Sequence, residues 1–215
     1  FFLVRTSAAY VWLTGIPTGL VIFVRKGPNL EVIRAHRQLF REQHGDFLNL
    51  FNPRGFISVD LLVGTARIRL ANTHLNHGAA TCRHRQAQVE ELTVYLQTTQ
   101  MDSSRAVFVL GDMNVPAEAQ EVQSLCTSNG LRNSLSLEEP ETRNTWLVEN
   151  PLTSNPFIPH GGDQQLDFIL IPASDASFST MHSRRVFDTN PYVSDHFGVL
   201  CDIEKTNPRS AQQCA

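Results

Sequence analysis

The stretch Val107–Leu110, "VFVL", admits few folds: all four residues are apolar, three are β-branched or aromatic, and none alternates with a polar residue. A strand of this kind is buried on both faces, so the chain must supply cover on both sides of the sheet that contains it. Gly111 follows and can take backbone angles or close approaches that a side chain would prevent. Asp112 and Asn114 then emerge where the strand ends. The ends of buried strands in α/β sheets are common ligand sites. An Asx turn accounts for the same two residues without any chemistry.

Further strands are predicted at "GLVIFVRKG" from Gly19, "FISVDLLV" from Phe56, "ARIRLANTHL" from Ala66, "LDFILIP" from Leu166 and "SDHFGVLCDI" from Ser194. "CRHRQAQVEELTVYLQ" sets Val89, Leu92 and Leu96 at helical spacing. A second helix is predicted from Pro116 to Asn129, proline suiting its first turn and Gly130 its stop. The apolar stretch Tyr10–Val24 contains Gly15, Pro17 and Gly19; it reads as two strands around a turn and is too short to cross a bilayer as a helix. Arg132–Gly162 carries four prolines and no period, a long loop of the kind that is often functional. No repeat or boundary divides the chain, and a single α/β domain over residues 1–215 is expected.

Several strand ends carry polar groups. Alternation puts Ile68, Leu70, Asn72 and His74 on one face of a strand that is apolar at one end and polar at the other. A histidine satisfied by hydrogen bonds at a strand end explains that motif alone. Asp167 stands beside a strongly apolar strand, where an ionised carboxylate needs a cation, a histidine or several donors. Asp195 and His196 open another apolar run, where a turn cap is the plain alternative. Repetition is the informative feature: four segments each bring Asp, Asn or His to a terminus. Carboxylate and amide oxygens suit a hard cation such as Mg²⁺, and histidines can donate to charge building on phosphoryl oxygens. No serine or cysteine lies in a nucleophile-elbow pattern, so water is the expected attacker in metal-assisted phosphoester hydrolysis.

Composition narrows the classes. With 215 residues, 41% hydrophobic and 18% charged, the chain can bury a sizeable core. A formal net charge of −3 and a pI near 6.2 provide no global basic field for a nucleic-acid backbone. Cys82, Cys126, Cys201 and Cys214 are scattered without a C-x-x-C pair, which points to neither a zinc site nor a disulfide scaffold. The start does not read as a signal peptide, and the compartment is left open.

In chain order, "NTHL", "GDMN", "LDFIL" and "SDH" resemble the signature segments of the endonuclease/exonuclease/phosphatase superfamily, the fold of pancreatic-type deoxyribonuclease, abasic-site endonuclease and neutral sphingomyelinase. The resemblance implies a four-layer αββα sandwich of two mixed sheets with outer helices. It implies that His74 contacts the scissile phosphate, and that Asp112 and Asn114 orient the attacking water and hold phosphate or metal. It further implies that Asp167 hydrogen-bonds His196 and favours its charged form, that Asp195 is a metal-side acid, and that His196 is a general base or transition-state stabiliser. The implied cofactor is Mg²⁺ or another divalent cation, with Asp112, Asn114, Asp195 and His196 as candidate ligands. The family opens with a strand bearing an asparagine and a second bearing a glutamate in a "QE" pair. Neither precedes Gly19, so the resemblance also implies a domain incomplete at its N-terminus.

"GFISVDLL", "NTHLNHG" and a helix with Arg83 or Arg85 and Gln86 or Gln88 in an R-x-x-Q-x-x-x-L pattern resemble the sphingomyelinase-like branch. The expectation is a metal-dependent phosphodiesterase, acting as a monomer on a phospholipid headgroup of the sphingomyelin type, with peripheral membrane contact. An exposed apolar loop beside the site would favour it. A Mg²⁺-dependent nuclease is the alternative, favoured if Arg25, Lys26, Arg34, Arg37 and Arg41 line one groove leading to His74. A binding module lacking the principal metal ligand is the third reading.

Overall fold

The computed structural model describes residues 2–5, 19–43, 53–98, 105–154, 162–174 and 178–206. In chain order the strands are β1 (Phe2–Arg5), β2 (Val21–Val24), β3 (Leu30–Leu39), β4 (Gly55–Val63), β5 (Ala66–His74), β6 (Arg105–Asp112), β7 (Leu131–Asn133), β8 (Asp167–Pro172), β9 (Phe178–Val186) and β10 (Gly198–Lys205). The helices are α1 (Cys82–Thr98), α2 (Gln120–Asn129) and the short α3 (Pro140–Arg143). Six strands form one mixed sheet in the order β3–β4–β5–β6–β8–β7, in which only β5 and β6 run parallel. Two antiparallel ribbons, β1–β2 and β9–β10, make up the second β layer.

The apolar run of β6 is covered as its composition requires. On one face Val107 and Val109 meet Val89, Leu92 and Leu96 of α1 and Val122 and Leu125 of α2. On the other face Ala106 and Phe108 pack with Ile171, Phe178 and Cys201, while Ile22 and Val24 lie on Ile57, Val59 and Leu61. The result is an α/β sandwich: helices, a six-stranded mixed sheet, and a second β layer. Among the described residues no helix is long and apolar enough to cross a membrane.

Several elements differ from expectation, among them the short strands β1 and β7 and the one-turn helix α3, which the sequence reading did not include. The second helix begins at Gln120 instead of Pro116, because Ala119 donates back to the Pro116 carbonyl in a turn and takes the cap position itself. Strand β10 begins at Gly198, which leaves Asp195 and His196 on the connection ahead of it. Strands β3 and β9 are added; β3 lies at the sheet edge with Glu31, Arg34 and Arg37 exposed, so charges interrupt its apolar pattern. Much of the Tyr10–Val24 hairpin lies outside the described residues, and only Val21–Val24 is seen as a strand.

Gly111 has φ of 131°, and a Cβ there would run into the Thr73 carbonyl oxygen of the neighbouring strand. Both facts demand glycine at the point where β6 delivers Asp112. Gly111→Ala should therefore destabilise the fold by at least ~2 kcal/mol, read as a lower urea midpoint. An unchanged midpoint would refute the argument.

Candidate active site

Sheet register sets the site. Gly55 of β4 stands opposite His74 of β5, His74 opposite Asp112 of β6, and Asp112 opposite Asp167 of β8. The parallel strands β5 and β6 end together, and antiparallel β8 starts at that same edge. Neighbouring strands are about 4.8 Å apart, so three titratable side chains stand within reach of one another.

His74 Nε2 lies 3.2 Å from Asp112 Oδ2. The other oxygen, Oδ1, accepts the backbone N–H of Asn114 at 2.8 Å. Asn114 adopts φ of 54°, a left-handed conformation that asparagine tolerates. Its Nδ2 donates to the Leu75 carbonyl at 2.9 Å, which turns Oδ1 away from that bond. Asp167 Oδ2 is bonded to His196 Nδ1 at 2.7 Å, and the Trp146 and His196 rings meet in a T-shaped contact with centroids 4.8 Å apart. The carboxylate that needed a partner beside its apolar strand thus has one.

Five of the six residues singled out from the sequence, His74, Asp112, Asn114, Asp167 and His196, meet at this edge through those contacts. Asp195 is exposed, accepts a hydrogen bond from the Ser194 hydroxyl at 3.2 Å, and reaches His196 through its charge. The long loop contributes residues that sequence reasoning passed over. Thr145 Oγ1 accepts from the Asp167 N–H, and the buried Asn150 donates Nδ2 to the Ser194 and Asp195 carbonyls at 2.9 and 3.3 Å. Their one signal was a tryptophan, Trp146, inside an otherwise polar, proline-broken stretch. In α1 the R-x-x-Q pair is Arg85 and Gln88, both buried: Arg85 bonds Glu121 and the Gly78 carbonyl, and Gln88 bonds Asn76. Arg85 is therefore an internal brace and no phosphate contact; Arg83 is exposed.

Residues 13–144 match the Endonuclease/Exonuclease/phosphatase family 2 model. The chain belongs to this family. The match stops before Asp167 and His196, and three-dimensional likeness extends further. Zebrafish (D. rerio) TDP2, solved with a single-strand DNA product, superposes with a TM-score of 0.61 at 18% identity over 82% of this chain and 69% of that one. The human Nocturnin catalytic domain gives 0.61 at 20% identity over 83% and 61%. Sphingomyelinase C from Streptomyces griseocarneus gives 0.55 at 18% over 82% and 65%. The chain spans less than two thirds of the last two. Among curated proteins no sequence matches significantly.

The charges of this family member are arranged against the cost of burial. Burial opposes the imidazolium of His196, but the hydrogen bond and charge of Asp167, then the charges of Asp112 and Asp195, outweigh it and push the pKa up to about 9. Burial likewise opposes ionisation of Asp112. The charge and hydrogen bond of His74, the charge of His196 and the Asn114 N–H hold its carboxyl below the usual range nonetheless.

The family fold implies a divalent cation. Among the described residues, Asp112, Asp167 and His196 offer ligand atoms within 4.8 Å of one another. His196 Nδ1 is already engaged by Asp167 Oδ2 at 2.7 Å, so a cation here would draw first on carboxylate oxygens and on Asn114 Oδ1. Such oxygen donors fit a hard ion that keeps part of its water shell.

His196 also makes stability depend on pH. Its folded pKa is raised from 6.5 to about 9, so its contribution is complete below pH 6.5 and is lost as pH rises through 9. The size is about 3 kcal/mol at most. The difference in unfolding free energy between the native chain and His196→Gln should shrink by that order between pH 6.5 and 10. A difference that stays constant across this range would exclude the charged pair.

Proposed function

We propose that the chain hydrolyses phosphodiesters by metal-assisted attack of water, with a phospholipid headgroup of the sphingomyelin type as substrate. The observation that carries the reading is the row His74–Asp112–Asp167 with His196 bonded to its last member, because it sets two imidazoles around one carboxylate-lined edge. With Nδ1 given to Asp167 and a pKa near 9, His196 is a donor at neutral pH and stabilises charge on a phosphoryl oxygen through Nε2. His74 contacts the same phosphate. Asp112 orients the attacking water, and Asn114 turns Oδ1 toward phosphate or cation. Mg²⁺ or a similar ion, held by Asp112 and Asn114 with Asp195 on the metal side and Asp167 in range, would supply Lewis-acid stabilisation and a more acidic water.

Two observations favour the lipid over a nucleic acid. Val148, Leu152 and Val193 are 52%, 50% and 76% exposed, on the same loops that carry Trp146, Asn150 and His196. The five basic residues do not form one row: Arg25 and Lys26 lie near the Leu30 end of β3, far from the Leu39 end that aligns with His74, Arg34 and Arg37 sit at positions of opposite parity along that strand, and of the five Arg41 alone follows the Leu39 end.

The test is hydrolysis of bis(p-nitrophenyl) phosphate, sphingomyelin vesicles and single-stranded oligonucleotide, with Mg²⁺ and with chelator. Feeble, chelator-sensitive turnover preferring the vesicles is expected, because the candidate ligands do not include the glutamate of the family pattern, and Asp167→Asn should reduce it by about 10²-fold with folding intact. Preference for the oligonucleotide would make the chain a nuclease. No turnover of any substrate would leave a binding module.

A further inference from the structure

We propose that Thr145 is a positioning residue that holds Asp167 against His196; its kinetic consequence rests on the hydrolase reading above, and its structural consequence on hydrogen bonding alone. Thr145 is fully buried and bonds Asp167 itself and the neighbour of His196. Its Oγ1 accepts the backbone N–H groups of Leu166 and Asp167, each at 3.0 Å. Its carbonyl accepts the N–H of Phe197, the residue after His196, at 2.8 Å, and its own N–H donates to Gln164 at 3.0 Å. The two segments it joins belong to different sheets, since β8 pairs with β6 and β7 while β10 pairs with β9. No ladder bond therefore fixes Asp167 relative to His196. Thr145 supplies the link, at Asp167 itself on one side and one residue past His196 on the other.

The link has two parts that substitution can separate. The carbonyl bond to Phe197 survives any side-chain change. The hydroxyl accepts two part-buried N–H groups at the start of β8, which is otherwise held through its carbonyls, by the Met113 N–H on Leu166 and by Gln165 Nε2 on Asp167; without the hydroxyl the N–H side loses its anchor. A displacement of the Asp167 carboxylate by even an ångström would lengthen the 2.7 Å bond and turn the imidazole out of line with a phosphoryl oxygen. Thr145→Val keeps the shape and removes the acceptor. Thr145→Ser keeps the acceptor.

The control is Ser58→Ala, which removes a buried hydrogen bond to the Tyr95 hydroxyl, 2.6 Å long, in the helix-side core. Each variant is assayed for its urea midpoint, for kcat and KM toward bis(p-nitrophenyl) phosphate in the folded range, and for the low-field proton resonance of His196 Nδ1–H, assigned by its loss in His196→Gln. Thr145→Val should lower kcat about tenfold or more with KM nearly unchanged, and should shift or broaden the resonance. Thr145→Ser should restore both, and Ser58→Ala should lose stability while keeping kcat and the resonance. If Thr145→Val does not fold, Thr145→Ala is read in the same way. Native kcat and resonance in Thr145→Val, or a parallel loss of kcat in Ser58→Ala, would overturn the proposal. Should the native chain hydrolyse nothing, the hydrolase reading fails and the resonance comparison still decides the role of Thr145.

Discussion

The parallel pairing of β5 with β6 is the constraint on which the candidate site depends. Parallel neighbours cannot be joined by a hairpin, and the connection here is α1, laid across the sheet. Its buried stripe of Val89, Leu92 and Leu96 covers the face that Val107 and Val109 present, so the helix that makes the crossover also forms the core. Two C-terminal strand ends are thereby brought to one edge, with His74 opposite Asp112. Slippage by one residue would turn Phe108 toward the helices and Asp112 away from His74, and burial on both faces makes that costly.

Buried polar groups hold the loops that leave this edge. The turn after His74 is pinned from α1: Arg85 reaches the Asn76 and Gly78 carbonyls while paired with Glu121, and Gln88 bonds both the backbone and the side chain of Asn76. A buried pair such as Arg85–Glu121 need not add net stability, because desolvation offsets its Coulombic gain. What it fixes is where Leu75 lies, and the Leu75 carbonyl is the acceptor that orients Asn114. On the other side of the site the loop from Thr145 to Asn150 does the same for the segment carrying His196. The side chains of His74, Asp112, Asp167 and His196 keep only partial exposure, from 14% at Asp112 to 37% at His74, and the groups that hold their loops are buried.

What could be read from the sequence follows from what periodicity records. Strand β6 and the stripe of α1 were legible because burial writes itself as apolar spacing. Strands β3 and β9 were not, since charges and polar residues punctuate them. Arg85 could have been assigned to the interior on the same grounds, for it lies four residues before Val89 on the buried stripe and Arg83 does not. The pairing of Asp167 with His196 came from family resemblance, with the cost of a lone carboxylate as its only physical hint. Thr145 and Asn150 were marked only indirectly, by the long loop and its Trp146: their role lies in hydrogen bonds to backbone, which impose no pattern on the sequence around them.

The charge states divide the proposed chemistry in a way that residue types alone left open. A histidine could serve as base or as donor, and the carboxylates of Asp167, Asp112 and Asp195 strengthen the hold of His196 on its proton, which favours the donor role proposed above. Asp112, held down by His74, His196 and the Asn114 N–H, is in turn a weak proton acceptor. Neither group is tuned toward neutrality in the manner of a strong general base. The power of such a site must come from placed charge: an imidazolium aimed where negative charge grows, and carboxylates that cost nothing to reorganise because the sheet has already fixed them. That is why register matters more here than basicity, and why the buried residues that set the Asp167–His196 bond carry as much of the argument as the groups that would meet the phosphate.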